Sequence, residues 1–107
     1  MSTFDEREQG FENKFKHDEE FKFKATARRN KLLGLWAADL LGLGEAEAQA
    51  YAQEVVKSDF DRPGDDDVLE KVLGDLQAKG VETSTHIVRK HMDELLAEAM
   101  QQVHDGV

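Results

Sequence analysis

The chain of 107 residues is long enough for one small domain, and its formal net charge of −9 argues against a nucleic-acid partner. It has no cysteine, which excludes disulfide bonds, thiolate metal sites and a cysteine nucleophile. The longest apolar stretch, residues 32–38, is far shorter than the roughly twenty residues of a membrane span, and the N-terminus is charged rather than apolar. We therefore expect a cytoplasmic protein that is not embedded in a membrane.

Residues 1–18 have too few apolar side chains to build a core, and we predict that they form a mobile N-terminal arm. Phe4, Phe11 and Phe15 are separated by seven and four positions, which places three rings on one narrow stripe of a helix. Such a helix buries little by itself, and Gly10 weakens it further. The arm is therefore predicted to be flexible or disordered alone and to become helical against a partner.

Two other interpretations of these residues remain open. The three rings could pack against the rest of the chain as an extension of its first helix, in which case the arm would contribute to stability. The segment could also be a frayed terminus without a role, although spaced aromatic residues are unusual in such tails.

The rest of the chain, residues 19–105, is predicted to be an all-α four-helix bundle, with helices at about 19–41, 45–58, 66–79 and 84–104. Each helix has an apolar stripe with helical spacing. The expected breaks are Gly42 and Gly44, the Pro63-Gly64 turn, Gly80, and Thr83 or Ser84 as the cap of the last helix. The residues predicted to face the core are Ala25, Arg29, Leu33, Trp36, Ala37, Leu40, Ala48, Tyr51, Ala52, Val55, Val56, Val68, Leu69, Val72, Leu73, Leu76, Ile87, Val88, His91, Met92, Leu95, Leu96, Ala99 and Val103.

A basic cluster lies at the start of the first bundle helix. Its members are Lys22, Lys24, Arg28, Arg29 and Lys31. We interpret it first as a solvated helix face, with contact to an acidic partner surface or to a nucleotide phosphate as the alternative.

The segment from Asp59 to Glu70 is similar to the calcium loop of an EF-hand, but two of its positions do not fit. The fifth is Pro63, which has no carboxylate, and the eighth is Asp66, where an apolar residue is usual. A Pro-Gly turn followed by an acidic helix start explains the same residues, so no metal site is expected. The chain also lacks an assembled catalytic group, and we do not expect it to be an enzyme.

Several motifs together point to a family. They are Thr3-Phe4-Asp5-x-Arg7-Glu8, Phe11-Glu12-x-Lys14-Phe15, the block from Phe23 to Ala38, Asp67-Val68-Leu69, and Met92-Asp93-Glu94-Leu95-Leu96-Ala97. The sequence in these motifs resembles the zeta subunit of alpha-proteobacterial F-type ATP synthases. The resemblance implies a four-helix bundle whose mobile N-terminal segment blocks ATP hydrolysis by the catalytic head of the synthase.

The resemblance also implies partners and sites. The arm is expected to fold at the interface between alpha and beta subunits, beside the central stalk. The partner-binding residues are then Phe4, Asp5, Arg7, Glu8, Phe11, Glu12, Lys14 and Phe15. No cofactor is required, but weak binding of ATP or ADP to the bundle is a further implication, with Lys24, Arg28, Arg29 and Lys31 as the expected phosphate contacts. The alternative function is an adenine-nucleotide-sensing or calcium-binding module that acts through the bundle.

Overall fold

The computed structural model describes the backbone of residues 2–61 and 65–106 and the side chains of residues 19–59 and 65–106. Within these residues the chain is all-α and forms four helices. They are α1 at Ser2–Leu41, α2 at Glu45–Asp61, α3 at Asp65–Ala78 and α4 at Thr85–His104. The predicted fold class is confirmed, and the bounds of α2, α3 and α4 lie within three residues of those predicted.

The first helix begins at Ser2 rather than at about residue 19, so the backbone of the predicted arm continues α1. That the arm is flexible alone and becomes helical against a partner stays a prediction. The predicted partner-binding residues between Phe4 and Phe15 lie outside the described side chains, and the mobility of the arm stays a prediction.

The length of α1 determines the shape of the molecule. At a rise of 1.5 Å per residue, its 40 residues span about 60 Å. The molecule measures 65 × 24 × 23 Å, so its longest dimension is about that of α1 alone. Because α2 and α4 are half as long as α1 or less, the bundle surrounds only part of α1.

The core forms where α1 packs against α2 and α4, and α3 closes the bundle. Gly34 allows the closest approach of α1 to α2, because a Cβ atom at this position would lie 2.6 Å from the Cα atom of Ala52. The buried residues of the core cluster are Leu33, Ala37, Ala38, Tyr51, Val55, Val68, Leu69, Val72, Leu76, Val88 and Met92.

Two residues predicted to face the core are exposed instead. Leu40 and Ile87 retain 44% and 43% of their accessible surface, so both predictions were wrong. Helical spacing identifies an apolar stripe, but it does not distinguish the centre of that stripe from its edge. At this edge the rings of Trp36 and His91 stack with their centroids 4.2 Å apart and join α1 to α4.

The helix ends follow the predicted signals with one change. Gly42 and Gly80 adopt φ values of +75° and +85° after α1 and α3, which only glycine tolerates easily. Ser84 caps α4, because its side chain accepts a hydrogen bond from the backbone N–H of Ile87. Gly44 does not have a positive φ, and its carbonyl oxygen accepts the first hydrogen bond of α2 instead.

Candidate functional site

The basic cluster of α1 separates into buried and exposed members. Arg29 is only 3% exposed, and its Nη2 atom lies 2.9 Å from Oδ1 of Asp65. Its Nε and Nη2 atoms also donate hydrogen bonds to Oδ1 of Asn30. The Nδ2 atom of Asn30 donates in turn to Oδ2 of Asp59. This network joins the middle of α1 to the end of α2 and the start of α3.

The network removes Arg29 from the predicted phosphate contacts, because its guanidinium group is enclosed by protein atoms. It also gives Asp59 and Asp65, two acids of the calcium-like segment, partners on α1. Pro63 and Gly64 of that segment lie outside the described residues. In the part of the chain that the structure describes, no group of three or more potential metal ligands comes together.

The other three predicted phosphate contacts, Lys24, Arg28 and Lys31, line one open groove of about 530 Å³. Nη1 of Arg28 donates a hydrogen bond to Oε1 of Gln102, at 3.3 Å, which fixes the guanidinium group near the end of α4. Phe23 lies at the groove with 61% of its surface exposed. The remaining residues that line this groove are Ala27, Val56, Val103 and Gly106.

A second groove of about 390 Å³ shares Lys31 and Val56 with the first and extends it between α1 and α2. Its other lining residues are Gln49, Ala52, Gln53 and Lys57. We call the two together the basic groove. It is lined by residues of α1 between Phe23 and Lys31, residues of α2 between Gln49 and Lys57, and the end of α4.

Lys57 lines the basic groove but was not among the residues of the predicted basic cluster. Lys57 follows Val55 and Val56, which were predicted to face the core, so it had the position of a surface residue. Its distance in sequence from Lys31 gave no sign that the two residues line the same groove. The packing of α2 on α1 brings them together, and no short motif encodes that packing.

The basic groove brings several cations together on a chain whose net charge is −9. Lys24, Lys31 and Lys57 form no ion pair with any described residue. Outside the groove, Lys71 pairs with Glu54 and Asp75, and Arg89 pairs with Asp66. Three further lysines outside the groove likewise form no ion pair with a described residue: Lys22, Lys79 and Lys90. The groove therefore gathers three lysines that make no ion-pair contact with a described carboxylate.

A second polar cluster joins α2 to α3 away from the basic groove. The hydroxyl group of Tyr51 donates a hydrogen bond of 2.8 Å to Oδ2 of Asp75, which Lys71 also contacts. Burial raises the pKa of Tyr51, and the hydrogen bond to Asp75 and the nearby carboxylates of Asp75 and Glu54 raise it further. These contacts leave the Tyr51 hydroxyl protonated and engaged, which indicates a structural role for the cluster.

Comparison with known proteins identifies the same family that the sequence motifs resemble. The sequence matches the family described as ATPase inhibitor subunit zeta over residues 1–102, which includes the predicted arm. A solved structure determined by solution NMR is 50% identical in sequence, with a TM-score of 0.70, and the similarity covers 80% of this chain and 98% of that one. None of the curated proteins compared with the sequence matches it. Within the described residues, no helix is both long and apolar enough to cross a membrane.

Proposed function

The chain belongs to the family of ATPase inhibitor zeta subunits, and we propose on that basis that it inhibits ATP hydrolysis by the catalytic head of an alpha-proteobacterial F-type ATP synthase. Membership in this family supports a regulatory rather than a catalytic role and association with ATP synthase. The proposal adds a mechanism, in which the N-terminal part of α1 enters the interface between alpha and beta subunits beside the central stalk.

The observation that supports this mechanism best is the continuous helix from Ser2 to Leu41. Its later part is held in the bundle by the buried residues Ala25, Leu33 and Ala37, while its length exceeds that of the bundle helices. In the proposed mechanism, a protein of this shape would present the start of α1 to a partner as an extended element. The family match includes residues 1–18, which is consistent with a role for this segment.

A helix in this position would act as a physical block. Each turnover of a rotary ATPase requires its subunit interfaces to open and close, and a helix held between them opposes that movement. Phe4, Phe11 and Phe15 would anchor the helix by burying their rings, whereas Asp5 and the charged residues between Arg7 and Lys14 would set its orientation. Because the backbone continues an existing helix, less ordering entropy is lost on binding.

The experiment that tests this proposal is a titration of ATP hydrolysis by a purified catalytic head with a variant in which Phe4, Phe11 and Phe15 are all alanine. We expect the concentration needed for half inhibition to rise by about tenfold or more, since loss of an anchor residue costs more than about 1 kcal/mol of binding free energy. The Phe23→Ala variant is the matched control, because Phe23 is also an α1 aromatic residue but lies at the basic groove.

Unchanged inhibition by the triple variant would overturn the assignment of the arm as the inhibitory element. Thermal unfolding of the same variants gives a second readout. If the triple variant unfolds at a clearly lower temperature, the three rings stabilise the free protein, as the packed-arm interpretation requires.

The alternative function, a nucleotide-sensing module in the bundle, receives only limited support. Lys24, Arg28 and Lys31 share a groove, but Arg29 points into the buried network, so a phosphate would meet three of the four expected cations. A calcium-binding module has less support, because Asp59 and Asp65 already bind side chains of α1.

A further inference from the structure

We propose that the basic groove is a second interaction surface, separate from the arm, and that it binds an acidic amphipathic helix of a partner protein. This inference does not depend on the inhibitory role of residues 1–18, because the basic groove is built from α1, α2 and α4 within the bundle.

The charge of the basic groove is the first argument. Lys24, Lys31 and Lys57 lack ion-pair partners among the described residues, although acidic residues outnumber basic residues in the chain by 23 to 14. Lysines gathered on one face of a strongly acidic protein, with no described carboxylate in ion-pair contact with them, attract a negatively charged partner surface. The chemistry of the occupant is therefore acidic.

The spacing of the cations is the second argument. Lys24, Arg28 and Lys31 occupy positions i, i+4 and i+7 of α1, so they form a row of about 10 Å along one face of the helix. Carboxylates repeated at the same spacing on a partner helix form a matching row. Lys57 stands on α2, across the groove from the row on α1.

The floor of the basic groove is the third argument. Ala27, Ala52, Val56 and Val103 line the space among these cations, so apolar surface lies between charged sides. An amphipathic helix that binds in a groove buries an apolar stripe and places its polar residues at the rims. The exposed ring of Phe23 would contact the same apolar stripe at the end of the groove.

A helix fits this surface better than a nucleotide does. Nucleotide sites enclose most of the ligand and gather phosphates with several converging donors, often the free backbone N–H groups at a helix start. The walls formed by α1 and α2 are the interior turns of helices, whose backbone N–H groups are already bonded within those helices. The cations stand in a row instead of converging on one point.

The test is an amide NMR titration of the full chain with a synthetic helical peptide of 18 residues. The peptide has leucine at helical spacing on one face and glutamate on both flanks, and a second peptide has glutamine in place of every glutamate. We expect the acidic peptide to shift amide signals between Phe23 and Lys31 and between Gln49 and Lys57, and the glutamine peptide to bind about tenfold more weakly or not at all.

Two matched double variants test whether the acidic peptide binds at the basic groove. Lys31→Glu with Lys57→Glu should reduce affinity for the acidic peptide by about tenfold or more. Lys79→Glu with Lys90→Glu changes the net charge equally at exposed lysines outside the groove and should leave the affinity within about twofold. Thermal unfolding of all variants confirms that the fold is retained.

Three results would overturn the proposal. The first is equal binding of the glutamine peptide, and the second is a set of shifts outside the basic groove or none. The third is a response of the groove to ADP without a response to the acidic peptide, which would make the groove a nucleotide site. None of these results bears on inhibition by the arm, so the two proposals succeed or fail separately.

Discussion

For the single residue Arg29, the sequence predicted burial but not the residues that it contacts. Its position four residues after Ala25 and four before Leu33 predicted that it faces the core, and this prediction is confirmed. Its network partners could not be predicted, because Asp59 lies near the end of α2 and Asp65 begins α3. Their distance from Arg29 depends on how three helices pack, and helical periodicity contains no information on that arrangement.

We predict that Arg29→Ala destabilises the fold by about 2 kcal/mol. The substitution leaves the buried Asn30 without the two hydrogen bonds from Arg29 and removes the ion pair with Asp65. The estimate lies below the roughly 3–5 kcal/mol for breaking a fully buried charge pair, because Asp65 remains largely hydrated. Urea unfolding followed by circular dichroism measures the effect, with Lys31→Ala as a control that should change stability by less than about 0.5 kcal/mol. Equal effects of the two substitutions would contradict the burial of Arg29.

The raised pKa of Tyr51 predicts that the stability of the fold depends on pH. Its pKa is raised in the folded protein above its unfolded value of about 10, so the folded state holds the phenolic proton more tightly. The resulting stabilisation is fully present below pH of about 10 and is lost as the pH rises towards the folded pKa.

The Tyr51→Phe variant isolates this contribution, because both proteins share every other titrating group. We expect the variant to be less stable by about 1 kcal/mol at neutral pH, where the hydrogen bond to Asp75 is lost. The difference in free energy of unfolding between the two proteins should become smaller above pH of about 10. Denaturant unfolding at a series of pH values measures this difference. A difference that stays constant above pH of about 10 would contradict the raised pKa of Tyr51 in the folded protein.

At the scale of helices, the ends of the described helices agree with the prediction where a glycine or a capping residue marks them. Gly42, Gly80 and Ser84 mark helix ends as predicted, since a left-handed glycine or a capping hydroxyl acts within one turn. The backbone of α1 is helical from Ser2, and the separate arm predicted for residues 1–18 from their sparse apolar side chains stays a prediction.

Substitution of glycine by alanine should have opposite effects on stability at two helical positions, Gly34 at the contact of α1 with α2 and Gly74 in α3. Gly34→Ala should destabilise the protein by about 1–3 kcal/mol, because the new Cβ atom would lie 2.6 Å from the Cα atom of Ala52. Gly74→Ala should stabilise it by about 0.5–1 kcal/mol, since Gly74 is in the interior of α3 with nothing within 4 Å of the new atom. Thermal unfolding of both variants measures these two changes in stability. Stabilisation by Gly34→Ala would show that the helices do not approach this closely.

At the scale of the whole molecule, composition and periodicity were sufficient for the fold class, whereas the predicted binding residues stay predictions. A small cysteine-free chain with four apolar stripes has few ways to bury them other than a helical bundle. The basic groove required the packed structure, because it combines Lys24 and Lys31 of α1 with Lys57 of α2 and the end of α4. The inhibitory role came from motifs that resemble a family, and no physical property of the bundle alone would have indicated it.

The central claim is that a bundle holds one long helix whose start inhibits ATP hydrolysis. The most direct test compares the full chain with residues 19–107 in a titration of ATP hydrolysis by a purified F-type catalytic head. We predict that the full chain inhibits, that residues 19–107 do not, and that both unfold at nearly the same temperature. Equal inhibition by the two proteins would place the inhibitory surface in the bundle and contradict the claim.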